Sequence, residues 1–274
     1  MNAKRRSPRI HHDARLAPYI AVLALLMAWE AVSRLALIDA LLLPPPTALA
    51  ARGASLLLSG RLLNDLLASA GRVFLGFGLA FLLSTPAGIL LGLYPHFERL
   101  VSALLGLLRP LSPPAWIPLA ILWFGIGDAP AIFIIFIGTF FSLLVGVMAA
   151  TRALDPQWLG VALTLGASRR QTLRHVVLPG LLPALLTQAR IGLALAWMCV
   201  IAAEMVAVRR GIGFMMSEAR NLFRTEDVMV GMVVIGLVGL GSDRLLGLLE
   251  RRWCRWRVGL SPAQLYGDAE EKGR

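Results

Sequence analysis

Hydrophobic residues along this chain gather into long runs separated by short polar segments. Six runs contain few charges and approach the ~20 residues that a helix needs to cross the hydrocarbon core of a bilayer. They are Ala17–Ile38, Leu66–Leu93, Leu100–Phe124, Ala131–Ala150, Leu181–Val208 and Val228–Leu249. The pattern predicts an all-α integral membrane protein with six transmembrane helices. Mean hydropathy of +0.71 and an apolar share of 57% exceed those of ordinary soluble domains, so a soluble protein with a large core is the weaker alternative.

The segments between and around these runs predict four parts of the chain. The first run contains Glu30 and Arg34 and is long for a signal peptide, so we expect it to be a retained helix. The parts are a basic cytoplasmic tail at 1–16, the first transmembrane helix and an outer interfacial segment at 17–63, a transmembrane core at 64–250, and a cytoplasmic C-terminal tail at 251–274.

Polar and small residues near the second run predict local features. Thr47 is a candidate N-cap for a short interfacial helix over residues 48–58, and Asn64 or Asp65 for the second transmembrane helix. Gly88 and Gly92 lie four residues apart and predict a close helix–helix contact.

The net charge is +11, and with six spans most of the basic residues fall on one side of the membrane. Three basic groups fall on one side, which the positive-inside rule makes the cytoplasm, so both termini are predicted to be cytoplasmic. The groups are Lys4, Arg5, Arg6, Arg9 and Arg15; Arg152, Arg169, Arg170 and Arg174; and Arg251, Arg252, Arg255 and Arg257. An exception is the loop between the fifth and sixth runs, which places Arg209, Arg210, Arg220 and Arg224 on the outer face. These arginines are predicted to meet acidic surface on a partner, or else to be solvated loop charge.

The sequence lacks the residues that ATP binding, metal binding and catalysis require. A phosphate-binding Walker A loop needs a lysine, and the only lysines are Lys4 and Lys272 in the two tails. The two cysteines and four histidines show no metal-ligand spacing, so no metal site and no catalytic residue is predicted. The hydrophobic runs exclude a basic nucleic-acid-binding protein.

The third run is interrupted by prolines, which break the helical hydrogen-bond ladder. They are Pro110, Pro113, Pro114 and Pro118. Irregular backbone at membrane depth must be buried in protein or line a water-filled cavity. One interpretation is a kinked helix that lines a translocation pathway, with Arg109 attracting an anion. In the other, residues 100–108 form an interfacial helix, the span starts near Pro113, and Arg109 reaches the interface as a snorkelling side chain.

The polar segment 151–180, between the fourth and fifth runs, is longer than a simple turn requires, and such long connections are usually functional. Two helix-patterned halves meet at Gly166, which permits a sharp turn. Ser168 is predicted to cap the second half, and Leu178-Pro179 to end it.

The segment from Asp155 through Leu165-Gly166-Ala167-Ser168 to Leu178-Pro179 resembles the cytoplasmic coupling loop of ABC-transporter permeases of type I. Three stretches resemble the sulfonate, taurine and nitrate importer branch of this family. They are Leu43–Ala50, Arg109 through Gly127, and Ala203-Glu204-Met205. The resemblance implies a multi-pass subunit of the bacterial inner membrane. It also implies a second permease copy, two cytoplasmic ATPases that hold ATP and Mg, a periplasmic substrate-binding protein and surrounding lipid. This chain itself would bind no cofactor, and the cargo would be an aliphatic sulfonate, taurine or nitrate.

By this resemblance, the ATPase-coupling residues are Leu165, Gly166, Ala167, Ser168, Arg169, Arg170, Leu178 and Pro179. The candidate pathway residues are Arg109, Pro110, Pro113, Pro114, Trp116, Pro118 and Glu204. One position departs from the family pattern, because Gly160 stands where a glutamate usually opens the loop. A carboxylate there would contact the ATPase or brace the loop internally.

Glu204 is expected to form a structural ion pair or gate rather than to contact substrate, because a charge within a membrane span tends to pair. A secondary transporter with Glu204 or Asp243 as proton carrier remains the alternative function. A structural subunit without transport is a second alternative, although it would leave the proline-rich break unexplained.

Overall fold

The computed structural model describes residues 17–39, 41–108 and 110–254. Within these residues it contains helices and no strand, which confirms the predicted all-α class. The helices are α1 (Ala17–Arg34), α2 (Pro46–Leu58), α3 (Arg61–Leu93), α4 (Pro95–Leu108), α5 (Ile117–Phe124), α6 (Asp128–Arg152), α7 (Pro156–Thr164), α8 (Arg169–Thr172), α9 (Leu178–Ala207), α10 (Ile212–Asn221) and α11 (Thr225–Trp253).

Four described helices are long and apolar enough to cross a membrane. They are α3, α6, the continuous helix Arg169–Ala207 that contains α8 and α9, and α11. They correspond to the second, fourth, fifth and sixth predicted runs. The first run forms α1, which ends at Arg34.

The third predicted run is two helices rather than one kinked helix. After α4 ends at Leu108, a short 3₁₀ turn spans Pro113–Trp116 and leads directly into α5. Residues 113–124 extend about 18 Å at 1.5 Å per residue, which is well short of the ~30 Å hydrocarbon core. The prolines explain the break, because each lacks an N–H group and restricts the residue before it. The structure therefore has separate helices on either side of the break, as in the second interpretation, but the helix that follows Pro113 is too short to be the span which that interpretation starts there.

The described chain forms two compact units. One contains residues up to Leu63 together with Met215–Met232. In it, the guanidinium of Arg52 on α2 donates to both oxygens of Asp227, at 2.5 and 2.9 Å. Helix α2 begins at Pro46, so the prediction that Thr47 is its N-cap is wrong. The Thr47 hydroxyl instead donates to the Glu30 carboxylate at 2.8 Å.

The other unit contains Asn64–Phe214 and the chain from Val233 onward. Its core forms where α3, α6 and α9 pack together, around the buried side chains of Val73, Ile135 and Trp197. A second cluster joins α5 to α6 and α9. Helix α9 takes part in both clusters, and its many small residues, including Ala196 and Ala203, allow this close packing.

Helices α3 and α6 approach each other so closely that glycine is required at the contact. A Cβ atom added to Gly88 would lie 2.8 Å from Cβ of Val147, and one added to Gly92 would lie 3.0 Å from the carbonyl oxygen of Met148. The predicted contact at Gly88 and Gly92 is confirmed. Such close approach lets backbones gain dispersion contacts where no hydrophobic effect drives helix association.

Gly88→Ala is expected to destabilise the protein by about 1–3 kcal/mol, because the added methyl group overpacks the contact with Val147. Gly78→Ala is the matched control: a Cβ there meets nothing within 4 Å, and alanine favours helix by up to about 1 kcal/mol over glycine. Thermal unfolding of both variants in detergent measures the difference. Equal midpoints for the two variants would contradict the tight α3–α6 contact.

Candidate functional site

The segment 151–180 folds as a helical hairpin. Asp155 caps α7, and its carboxylate accepts a hydrogen bond from the Gln157 backbone N–H at 2.9 Å. The start of α7 lies against the start of α9, where Gly180 faces the side chains of Leu154 and Trp158. The hairpin is therefore tied at its base by apolar contacts.

The tip of the hairpin is a left-handed turn between two capped helices. Gly166 has φ +72°, and the N–H groups of Gly166 and Ala167 donate to the carbonyls of Leu163 and Ala162, both at 3.0 Å. This pair of bonds is the Schellman arrangement that ends a helix at a left-handed residue. Ser168 then caps α8 in a capping box with Gln171. The predicted turn at Gly166 and cap at Ser168 are confirmed.

The prediction that Leu178-Pro179 ends the second half is wrong. The helix continues unbroken from Arg169 to Ala207. A π-helical turn at Leu173–Val177 precedes Pro179, and such wide turns absorb the missing hydrogen bond and the steric demand of a proline. The hairpin tip and the long membrane helix are thus one continuous element.

The surface of the hairpin is apolar with a cationic border. Leu165 at the tip is 81% exposed, and Val161 and Leu163 on α7 are also exposed. Arg169 and Arg170 on α8 are exposed beside them. A groove of about 1250 Å³ opens between α7, the turn and the start of α9. Exposed apolar side chains beside cations form a surface suited to a partner protein.

Gly160, where the family pattern has glutamate, lies on α7 with an open environment. A Cβ atom there would meet nothing within 4 Å. The position faces outward, which favours a contact with a partner over an internal brace.

At the far end of α9, Glu204 is fully buried, with 0% exposure. Its carboxylate accepts hydrogen bonds from Arg72 Nη1 at 2.5 Å, Ser69 Oγ at 2.8 Å and the Gly213 N–H at 2.9 Å. Arg72 also donates to Asp128 at 2.7 Å and to the Arg210 carbonyl at 2.7 Å. We call Asp65, Ser69, Arg72 and Glu204 the clamp.

The clamp holds the backbone that follows α9. The N–H of Gly211 donates to Asp65 at 3.1 Å, and that of Ile212 donates to Ser69 at 2.9 Å. The prediction that Asn64 or Asp65 caps α3 is wrong, because α3 begins at Arg61. Asp65 bonds Gly211 instead. Asp65, Ser69 and Arg72 are four and three residues apart, so they lie on one face of α3. That polar spacing within an apolar run was the signal available in the sequence.

The structure places the predicted pathway residues in different surroundings and does not bring them together in one site. Pro113 packs against α6 at Gly138. The rings of Trp116 and Phe133 meet edge-on, with their centroids 6.4 Å apart. Pro118 is the second residue of α5, while Pro110 and Pro114 are exposed. Glu204 belongs to the clamp. Arg109 lies outside the described residues, so its attraction for an anion stays a prediction.

Comparison with known proteins identifies the chain. Residues 84–254 match the family described as binding-protein-dependent transport system inner membrane component. The chain belongs to this family. It is 36% identical to the taurine transport system permease protein TauC of Escherichia coli, over 85% of this chain and 86% of that one. It is 32% identical to a chain named as the aliphatic sulfonates transport permease SsuC of Escherichia coli, over 88% and 92%.

The fold has relatives among solved structures. The permease resembles a chain of the MetNI methionine ABC transporter, solved in inward-facing conformations, with TM-score 0.59 and 19% identity over 70% of this chain and 97% of that one. This likeness supports the helical fold alone. The family match makes the chain an inner-membrane component of a binding-protein-dependent transport system, and nothing supports the proton-coupled alternative.

The second acidic residue of that alternative is also paired. Asp243 of the permease accepts two hydrogen bonds from Arg190, at 2.8 and 2.9 Å. Arg190 additionally bonds Glu250 at 3.4 Å. Each of these carboxylates therefore has a cationic partner in the structure.

Glu204→Gln in the permease is expected to reduce the free energy of unfolding by about 3–5 kcal/mol, because a buried arginine loses its charged partner. Asp243→Asn, which alters a pair that is about 37–48% exposed, should have a smaller effect. The thermal midpoint and folded yield in detergent measure both. A proton carrier predicts the reverse, a stable Glu204→Gln permease that has lost transport, and that result would contradict a structural role.

Proposed function

We propose that this chain is the permease subunit of an ATP-driven importer for small sulfonates. Two copies would form the translocation unit, with two cytoplasmic ATPases that hold ATP and Mg, a periplasmic substrate-binding protein, and lipid around the bundle. Family membership supports the ATPase and binding-protein partners in general. The pairing of two identical copies rests on the resemblance described above.

The observation that carries the proposal is the joining of the hairpin tip to α9. Residues 169–207 form one helix of 39 residues, about 58 Å long at 1.5 Å per residue. A push on the capped turn at Gly166 would therefore be delivered along α9 rather than dissipated in a loose loop. Because packed helices respond as bodies with discrete arrangements, ATP-driven closure of the ATPases would rock the bundle between outward and inward access.

The tip presents what an ATPase surface requires. Leu165, Ala167 and Leu173 supply apolar contact, and Arg169 and Arg170 supply charge that also suits the cytoplasmic side. A Schellman turn followed by a capping box fixes the tip before any partner binds, which reduces the ordering cost of docking.

Sulfonate cargo is inferred from the relatives. Both Escherichia coli permeases named above carry taurine or aliphatic sulfonates in their names. Proteoliposomes containing this permease, its ATPase and its binding protein are expected to accumulate labelled taurine or an alkanesulfonate when ATP is present. Nitrate is the comparison substrate. Uptake by the permease alone under a proton gradient would overturn the ATP-driven mechanism.

Gly166→Val is expected to lower substrate-stimulated ATP hydrolysis at least about tenfold, because a β-branched residue resists positive φ at a cost of roughly 1–3 kcal/mol. The variant should still insert and assemble, since the turn lies outside the bundle. Gly60→Val is the matched control, because Gly60 also has a positive φ (+74°) with open space around it but lies outside the hairpin, and this variant should retain stimulated hydrolysis. Normal coupling in Gly166→Val would separate the turn from ATPase docking.

The proline-rich break is proposed to border the pathway, because backbone freed from a helix needs water or protein at membrane depth. Cysteines replacing Ser112 and Ala115, both exposed, should react with a water-soluble thiol reagent in a variant without native cysteines. Their labelling should change when an ATP analogue is bound to the assembled transporter. Leu122→Cys, at an exposed apolar position on α5, is the control that we expect to face lipid and to stay unreactive. Unreactive cysteines in every nucleotide state would move the pathway elsewhere.

A further inference from the structure

A second opening lies at the end of α9 opposite the hairpin. It is a groove of about 530 Å³ lined by residues that include Arg72, Gly127, Asp128, Arg209 and Arg210. Helix α9 has 30 residues and is about 45 Å long, so the groove and the hairpin lie on opposite sides of a bilayer. If the hairpin meets a cytoplasmic ATPase, the groove opens to the periplasm.

The backbone that carries Arg209 and Arg210 is held in place rather than loose. The Arg210 carbonyl accepts from Arg72 at 2.7 Å, and the next two N–H groups donate to Asp65 and Ser69. The facing wall is fixed as well, since the Gly127 N–H donates to the Ala207 carbonyl at 2.9 Å. Solvated loop charge needs no such support. The groove is therefore a preorganised surface.

The cations at the rim of the groove have unused hydrogen-bonding capacity. Arg209 and Arg210 are exposed, and among the described residues their guanidinium groups have no recorded ion pair or hydrogen-bond partner. Together they present ten N–H donors on a backbone that the clamp holds in place. Such a pair favours a carboxylate, which accepts bidentate bonds from arginine.

Arg72 divides its contacts between the interior and the groove. Its Nη1 points inward to Glu204 and the Arg210 carbonyl, while Nε and Nη2 both contact one oxygen of Asp128 at 2.7 Å. Asp128 is 69% exposed, whereas Arg72 is 7% exposed. An exposed carboxylate held through one oxygen contributes little stability. Asp128 is the replaceable partner, and Glu204 is the permanent one.

We infer that the groove receives an acidic side chain of the substrate-binding protein. The incoming carboxylate would pass between Arg209 and Arg210 and take the place of Asp128 at the outer edge of Arg72. This inference rests on the proposed function and narrows it: of the four outward arginines expected from the sequence, Arg209 and Arg210 form the docking site. Arg72 would then link docking to the outer ends of α3, α6 and α9.

A protein carboxylate fits the groove better than a free anion. Arg209 and Arg210 are both exposed, so a small anion between them would stay in contact with water, and Asp128 would compete with it for Arg72. A carboxylate delivered by a docked protein needs no enclosure, because the surrounding interface excludes water.

The test measures binding of the purified cognate substrate-binding protein to the permease–ATPase complex in nanodiscs, by association kinetics over a range of salt concentrations. Arg209→Glu with Arg210→Glu should lower the association rate and the affinity at least about tenfold at low salt, because charge complementarity chiefly governs encounter. Arg220→Glu with Arg224→Glu reverses the same number of charges and should change the affinity less than about threefold. Asp128→Asn should tighten binding, since the competing carboxylate is removed.

Weaker binding on charge reversal at Arg209 and Arg210, together with tighter binding in Asp128→Asn, distinguishes docking in the groove from a general attraction between charged surfaces. Equal losses in the two double-Glu variants would overturn the groove, as would unchanged binding in Arg209→Glu with Arg210→Glu. Failure of Asp128→Asn to tighten binding would overturn the exchange at Arg72. If the double-Glu variant unfolds, Arg209→Gln with Arg210→Gln tests the same contacts without charge reversal and should weaken binding in the same direction.

Two further outcomes keep the inference separate from the function on which it rests. If the unaltered permease complex does not bind the substrate-binding protein, the proposed function fails. If the unaltered complex binds and transports but the groove variants behave like the control, only the groove is wrong. If replacing one acidic residue of the binding protein by arginine restores its binding to the Arg210→Glu permease, that residue is the partner of Arg210.

Discussion

The ion pair between Arg72 and Glu204 is the constraint on which the helical core depends at the end opposite the hairpin. Both side chains are buried among apolar helices, where an unpaired charge is costly, so each requires the other. The pair joins α3 to α9, and the same guanidinium reaches the start of α6 through Asp128. Ser69 and Asp65 extend the contact to successive N–H groups after α9. These groups would otherwise lack helical partners at the start of α10.

The other end of α9 is held by local backbone interactions rather than by an ion pair. The protruding hairpin tip is kept rigid by a Schellman turn at Gly166 and a capping box at Ser168, and a π turn lets the helix continue past Pro179. Because α8 and α9 are one helix, the exposed tip and the buried clamp are ends of the same element. A movement imposed at one end has a direct mechanical route to the other.

Close helix packing connects these two regions. Close α3–α6 contacts run from Gly76, near the clamp, to Gly92, near the hairpin, and α6 and α9 share apolar clusters along their length. Dense packing transmits displacement because interiors have low compressibility. The unit is thus suited to rocking as a body, with the groove beside Arg72 and the hairpin tip as its two exposed ends.

The sequence by itself determined what depends on neighbouring residues. Four of the spans follow from hydropathy, and the turn at Gly166 and the cap at Ser168 follow from the conformations that glycine and serine allow. Tertiary structure decided the rest. Asp65 bonds a backbone group 146 residues away, and Pro179 sits inside a continuous helix. These outcomes depend on packing between distant segments, which propensity and spacing along the chain do not contain.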